Sequence, residues 1–239
     1  MTIVGRGPER PAIEVLAQAF EKTQLGTAID TKWNKNFRLV EMLSGQEADL
    51  IVTGKSEDGL SATTVAWEGL AVVVNFSNPI KELPLRDVAA LFSGTIRDWS
   101  ELDERADGKV ALVVRPDDQN LTEGFEQGLN IAGRIPKNAE RIRSNEKVLS
   151  RVSGQLDAVG YISLRPALEA MAFGTSVRVL NIDGIEPGAP TVQSGRYPLK
   201  RPVMLLTRPS PSPLVQAFVE FVLSPAGQRL LSEFYVPVR

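Results

Sequence analysis

Apolar residues recur along this chain in two alternating rhythms. Thr2-Ile3-Val4 reads as a short strand, and Ile13, Leu16, Ala17 and Phe20 then mark one face of a helix that Pro11 suits at its first position. Thr27 to Trp33 alternates as a second strand, followed by a polar turn at Asn34-Lys35-Asn36. A helix from Phe37 turns Leu39, Val40 and Leu43 inward, and Ala48 to Thr53 is a third strand with Gly54-Lys55-Ser56 at its exit. Leu70 to Val74 is a buried strand stopped by Asn75-Phe76-Ser77-Asn78-Pro79.

A second α/β rhythm follows. Pro84 opens a helix with Val88, Leu91 and Phe92 inward. Val110 to Val114 is an apolar strand, and Leu121, Phe125 and Leu129 form the next helical stripe. Val148, Leu149 and Val152 mark another helix, Ala158 to Leu164 a strand, and Val177 to Ile182 one more. Pro202 to Thr207 is the last strand predicted, followed by a helix through Leu214, Phe218, Phe221 and Val222 and a final helix from Pro225. Strand–helix alternation of this kind predicts parallel pairing, with ligands held beyond the carboxyl ends of the strands.

Composition narrows the chemistry. The 239 residues carry 27 basic and 29 acidic side chains, a net charge of −2, and no basic tract or acidic tail points to nucleic acid. Histidine and cysteine are both absent, which excludes an imidazole base, a thiol nucleophile, a disulfide and a Cys/His zinc site. No Gly-rich nucleotide fingerprint appears, so the expectation is a protein that is not an enzyme and carries neither cofactor nor metal. No apolar run reaches membrane-spanning length. Met1-Thr2 runs straight into the first strand with no signal peptide, so the protein is cytosolic or a leader has been removed.

The candidate chemistry centres on Arg115, at the exit of the Val110–Val114 strand and just ahead of a helix start. Free N–H groups and the helix dipole favour an anion there, with Asp117 placed to hold the guanidinium and Asn120 or Thr122 to cap the helix. The bland alternative is a surface turn with one solvated arginine. The first loop, Gly5-Arg6-Gly7-Pro8, is flanked by Arg6 and Arg10, for which a solvated loop charge is the commoner role.

Several segments resemble the phosphate-type solute-binding proteins of bacterial ABC transporters. They are Asn78-Pro79, Leu91 to Ile96 with Asp98-Trp99-Ser100, Val159 to Ser163, Ile182-Asp183-Gly184, Gly195 to Leu199 and Phe221 to Gln228. The resemblance runs from about Val72 to Val238 and holds only in outline before that. It implies an α/β, two-lobed periplasmic-binding-protein-like fold (type II), with mixed sheets and a ligand cleft between lobes. Residues 1–74 with 196–239 would form one lobe and 75–195 the other.

Arg115 falls on that family's anion-binding Arg and Asp117 on the Asp that orients it. Gln119-Asn120-Leu121 stands where relatives carry Ser-Gly-Thr, so two hydroxyl donors are lost and Thr122 becomes the nearest hydroxyl. Arg6 and Gly7 replace the usual Ser and Thr of the first loop. Gly54 or Lys55 stands where a carboxylate would accept the ligand's proton. Asn34, Lys35 and Thr53, at the other strand exits, complete the expected ligand-binding set. The resemblance implies capture of a phosphate-like oxyanion, small organic acid or phosphoester by a monomeric periplasmic protein whose leader is absent from this sequence. Its partner would be an ABC transporter permease or, in the alternative of sensing without transport, a membrane or regulatory partner.

Overall fold

The computed structural model describes residues 1–116 and 120–238. In chain order the elements are β1 (Thr2–Gly5), α1 (Arg10–Thr23), β2 (Asp30–Trp33), α2 (Leu39–Ser44), β3 (Leu50–Thr53), β4 (Ser61–Asn75), β5 (Glu82–Leu83), α3 (Leu85–Phe92), β6 (Ala111–Val114), α4 (Asn120–Gly128), β7 (Glu140–Arg141), α5 (Asn145–Gly154), β8 (Ala158–Ser163), α6 (Leu164–Ala172), β9 (Val177–Val179), β10 (Asn181–Ile182), α7 (Ala189–Gln193), β11 (Lys200–Thr207), α8 (Pro213–Leu223), α9 (Pro225–Leu231) and β12 (Val236–Pro237). The α/β class and mixed sheets are as expected. No helix among the described residues is long and apolar enough to cross a membrane.

The chain forms two compact units, Met1–Trp67 with Pro202–Arg239, and Glu68–Arg201. The exchange points therefore fall inside β4 and β11. The resemblance implies exchange points a few residues away, after residue 74 and before residue 196. Residues 68–74 belong with the middle unit because Leu70–Val74 pairs residue for residue with Ser163–Val159 of β8. A long strand keeps one periodicity while its partners change, so this boundary leaves no mark in the sequence.

In the terminal unit, β1 lies between β2 and β3, all parallel, and β11 runs antiparallel to β3. Alternation sends Ile3, Leu50 and Val52 to one face, where they pack with Ile13, Leu16, Phe20, Phe218 and Val222 of the helices. Val4 and Ile51 face the other side, against Leu39 and Leu43 of α2. Val40, expected inward, is 38% exposed, because a six-residue helix has one narrow buried stripe and Leu39 and Leu43 fill it. The second strand begins at Asp30, not Thr27, as a half-exposed edge strand on which the alternation is weak.

In the middle unit β8 runs antiparallel to β4 and parallel to β6, and β7 extends the β6 side. The stretch Val177–Ile182 is two strands, since β9 pairs with β4 and β10 with β5. Leu164, expected at the end of a strand, begins α6. Phe92 of α3 and Phe125 of α4 meet edge to face at 4.8 Å, and Phe125 stacks on Tyr161 of β8 at 3.8 Å and 9°. This aromatic column ties α4 to the sheet beside the end of β6.

Candidate functional site

At the carboxyl end of β6 the backbone of Arg115 is held by a chain of donors. Its N–H donates to the Tyr161 hydroxyl at 3.3 Å, that hydroxyl donates to Thr122 Oγ1 at 3.0 Å, and Thr122 donates to the Pro116 carbonyl at 2.9 Å. Every group in the chain has a partner, as buried polar groups require. The chain locks residues 115–116 against the first turn of α4. It also corrects the expected role of Thr122. This residue lies inside α4 and is buried, and its proton is engaged with Pro116, so it neither caps the helix nor offers a donor to a ligand.

Arg115 as a whole is only 8% exposed. Its Nη1 donates to Asn145 Oδ1 at 3.1 Å, which brings the guanidinium to the first residue of α5. That helix start is legible in sequence, for Ser144 accepts the Lys147 N–H at 3.1 Å in an ordinary N-cap. Burial pulls the Arg115 guanidinium below its usual range. Tyr161 and Glu68 oppose that shift and Arg143 adds to it. An arginine this far from neutrality stays charged, so a largely buried cation sits at the start of α5, while its backbone is tied to α4. Burial also pushes the Tyr161 phenol up to about 12, with the Thr122 and Arg115 hydrogen bonds pulling the other way.

Of the other residues expected in this unit, Asn120 is the first residue of α4. Asp117 and Gln119 lie outside the described residues. Tyr161 and Asn145, which are not among the expected site residues, both bond Arg115. The Gly160-Tyr161-Ile162-Ser163 segment stood out by resemblance, yet nothing local says that its phenol reaches an arginine backbone in another strand.

In the terminal unit, the register pairs Gly5 with both Trp33 and Val52, so the exits of β1, β2 and β3 are neighbours. This brings the loops of Arg6 and Gly7, Asn34 and Lys35, and Thr53 and Lys55 to one edge. The Trp33 indole lies over Gly5, where an added Cβ would come within 2.4 Å of the ring, and donates to the Gly7 carbonyl at 3.0 Å. Asn34 Oδ1 accepts from its own turn, the Asn36 N–H, at 3.0 Å. Arg6 and Lys35 are exposed, and exposed Lys55 stands 3.5 Å from Glu57. Thr53 is buried at the end of β3. The edge forms as expected, but its cations are exposed.

A cavity of about 560 Å³ lies at the opposite, amino-terminal end of β6, lined by Val110, Ala111 and Leu112 with Arg97, Lys109 and Arg151. Its cations are exposed, and Arg151 is taken by Glu140 at 2.7 Å. Among the described residues no group of acidic side chains could hold a metal ion.

Residues 37–226 match the family described as the PBP superfamily domain. The phosphate-binding protein PstS of Bacillus subtilis (strain 168) is 24% identical over 248 residues, spanning 100% of this chain and 80% of the relative. The phosphate-binding protein PstS 2 of Streptococcus pneumoniae (serotype 4) is 38% identical over 141 residues, but this covers 54% of the chain and 45% of that relative. In fold, the chain matches the crystal structure of an ABC-type phosphate transport receptor from Vibrio cholerae with a TM-score of 0.86, at 22% identity and over 99% of both chains.

Proposed function

We propose that this chain, which belongs to the PBP superfamily, is an extracytoplasmic solute-binding protein that captures a small oxyanion of the phosphate class and presents it to an ABC transporter. The observation that carries this reading is Arg115, a buried arginine whose guanidinium is bonded to the neutral Asn145 at the head of α5 and whose backbone is tied through Tyr161 and Thr122 to α4. A cation so placed is pre-organised, because its backbone is locked through Tyr161 and its fork loses little freedom when an anion arrives. Binding without turnover is the chemistry such a set performs: fixed dipoles and one guanidinium neutralise charge but supply no nucleophile. The names of the relatives, phosphate-binding proteins, agree with the anion class.

Gln119-Asn120-Leu121 offers fewer hydroxyl donors than the Ser-Gly-Thr of the family that the sequence resembles. We expect phosphate to bind more weakly here than in a hydroxyl-lined relative. The test is a thermal-shift screen with phosphate, sulfate and small organic phosphates, followed by calorimetric titration. A specific ligand at a hundred times its Kd adds about 2.7 kcal/mol of stability. Stabilisation of the parent by at least one oxyanion, lost in Arg115→Ala, is the expected result. No stabilisation by any of them, or equal binding by Arg115→Ala, overturns the reading.

A further inference from the structure

Beside the hydrogen-bond chain that holds Arg115, the middle unit buries two more charged side chains, Glu68 at 5% exposure and Arg201 at 1%. Arg201 donates through Nε to Glu68 Oε2 at 2.7 Å, and its Nη2 pairs with the same oxygen. Glu68 Oε1 accepts the Ser163 hydroxyl at 2.5 Å. Burying two ions for stability alone gains little, because desolvation offsets most of their attraction and a packed apolar pair of like volume does as well.

The position of the pair supplies a better reason. Glu68 lies two residues before Leu70, which pairs with Ser163 at the end of β8. β8 is the strand between β4 and β6, and Arg115 follows directly on β6. The carboxylate therefore stands at the same strand ends as Arg115, where its charge acts on the guanidinium in the sense opposite to that of Arg143.

We propose that Glu68, clamped by Arg201 and Ser163, is a specificity-determining residue of the Arg115 site, biasing it toward singly charged over doubly charged oxyanions. The proposal rests on the anion-binding reading above. Coulomb repulsion scales with the ligand's charge, so the field of the carboxylate, reduced by the opposite charge of Arg201, opposes a dianion twice as strongly as a monoanion of the same shape. Its two clamping residues keep it from swinging away when the anion enters.

The experiment is calorimetric titration of the whole chain at one mildly acidic pH, where inorganic phosphate is a monoanion and sulfate a dianion. Parent, Glu68→Gln, the double variant Glu68→Gln/Arg201→Gln, and Arg115→Ala are compared. The sulfate-to-phosphate affinity ratio should rise about tenfold in Glu68→Gln. It should rise by a smaller factor in the double variant, which leaves no orphaned buried charge and keeps the test readable if the single variant folds poorly. An unchanged ratio in both variants, with Arg115→Ala still abolishing binding, overturns this proposal alone and leaves Glu68–Arg201 a structural pair. If the parent binds neither anion, or Arg115→Ala binds like the parent, the anion-site reading fails and this proposal with it.

Discussion

The two candidate regions are built alike and behave differently. In both, parallel strands end side by side and short loops lead into helices. In the middle unit the cation at the strand end is buried, bonded to Asn145, and backed by Tyr161, Thr122 and a clamped carboxylate. In the terminal unit Arg6, Lys35 and Lys55 are exposed, and Lys55 stands near Glu57. A charge in a low-dielectric setting interacts several times more strongly than a solvated one, and salt screens it less. Charge count alone is therefore a poor guide to an anion site, and burial with satisfied neighbours is the better one.

The sharpest way to break this comparison is to remove one cation from each region. Arg115→Ala should lower oxyanion affinity by about 2–4 kcal/mol in calorimetric titration, and Arg115→Lys should recover only part of it, since an ammonium cannot copy the fork. Equal losses from Arg115→Ala and Lys55→Ala would dissolve the distinction.

The packing behind Arg115 gives the next largest effect. An added Cβ on Gly124 would come within 2.7 Å of Arg201 Cβ, and Arg201 cannot yield because Glu68 holds it. Gly124→Ala should cost about 1–3 kcal/mol of stability by chemical denaturation, even though alanine is the better helix former. A gain in stability would mean that the α4–Arg201 contact is loose.

Tyr161→Phe should cost about 1–2 kcal/mol at neutral pH, because the Arg115 N–H and Thr122 lose a partner. It also changes the alkaline limb. The folded state holds the phenol up to about 12 against an ordinary value of 10.0, so it binds this proton more tightly than the unfolded chain does. That stability is fully present below about pH 10 and falls as pH rises toward 12, by at most about 1.4 kcal/mol per unit. Burial raises Tyr197 in the same direction, so the parent's decline is steeper than Tyr161 alone would give. Denaturation curves at neutral and alkaline pH should show a shallower decline in Tyr161→Phe.

The smallest effect is expected in the terminal unit. Lys35→Ala and Lys55→Ala should each change oxyanion affinity by at most about threefold, and added salt should erase the difference. A larger, salt-resistant loss would make this edge a site equal to that of Arg115.

Much of the scaffold was legible from local pattern. The apolar run before Arg115, the stripe of Leu121, Phe125 and Leu129, and the exits at Gly5, Trp33 and Thr53 each lie in one short window. Alternation and the helical period reveal such elements without reference to the rest of the chain. The absence of His and Cys limited the chemistry in the same direct way.

The surroundings of Arg115 were legible only in part, and the reason is distance along the chain. Thr122 looked like a free hydroxyl because a helix start shows its own residues and not Tyr161, 39 positions away. Glu68 and Arg201 are 133 positions apart, and each alone reads as an ordinary polar residue at the edge of a strand. What the sequence determined by itself was the order of strands and helices and the placing of one arginine at a strand exit. Tertiary structure decided that this arginine is buried, what holds its backbone, and which carboxylate shares its surroundings. Those depend on the register of β4, β8 and β6 against one another, which is set by the summed burial of side chains remote in sequence and leaves no trace in any single window.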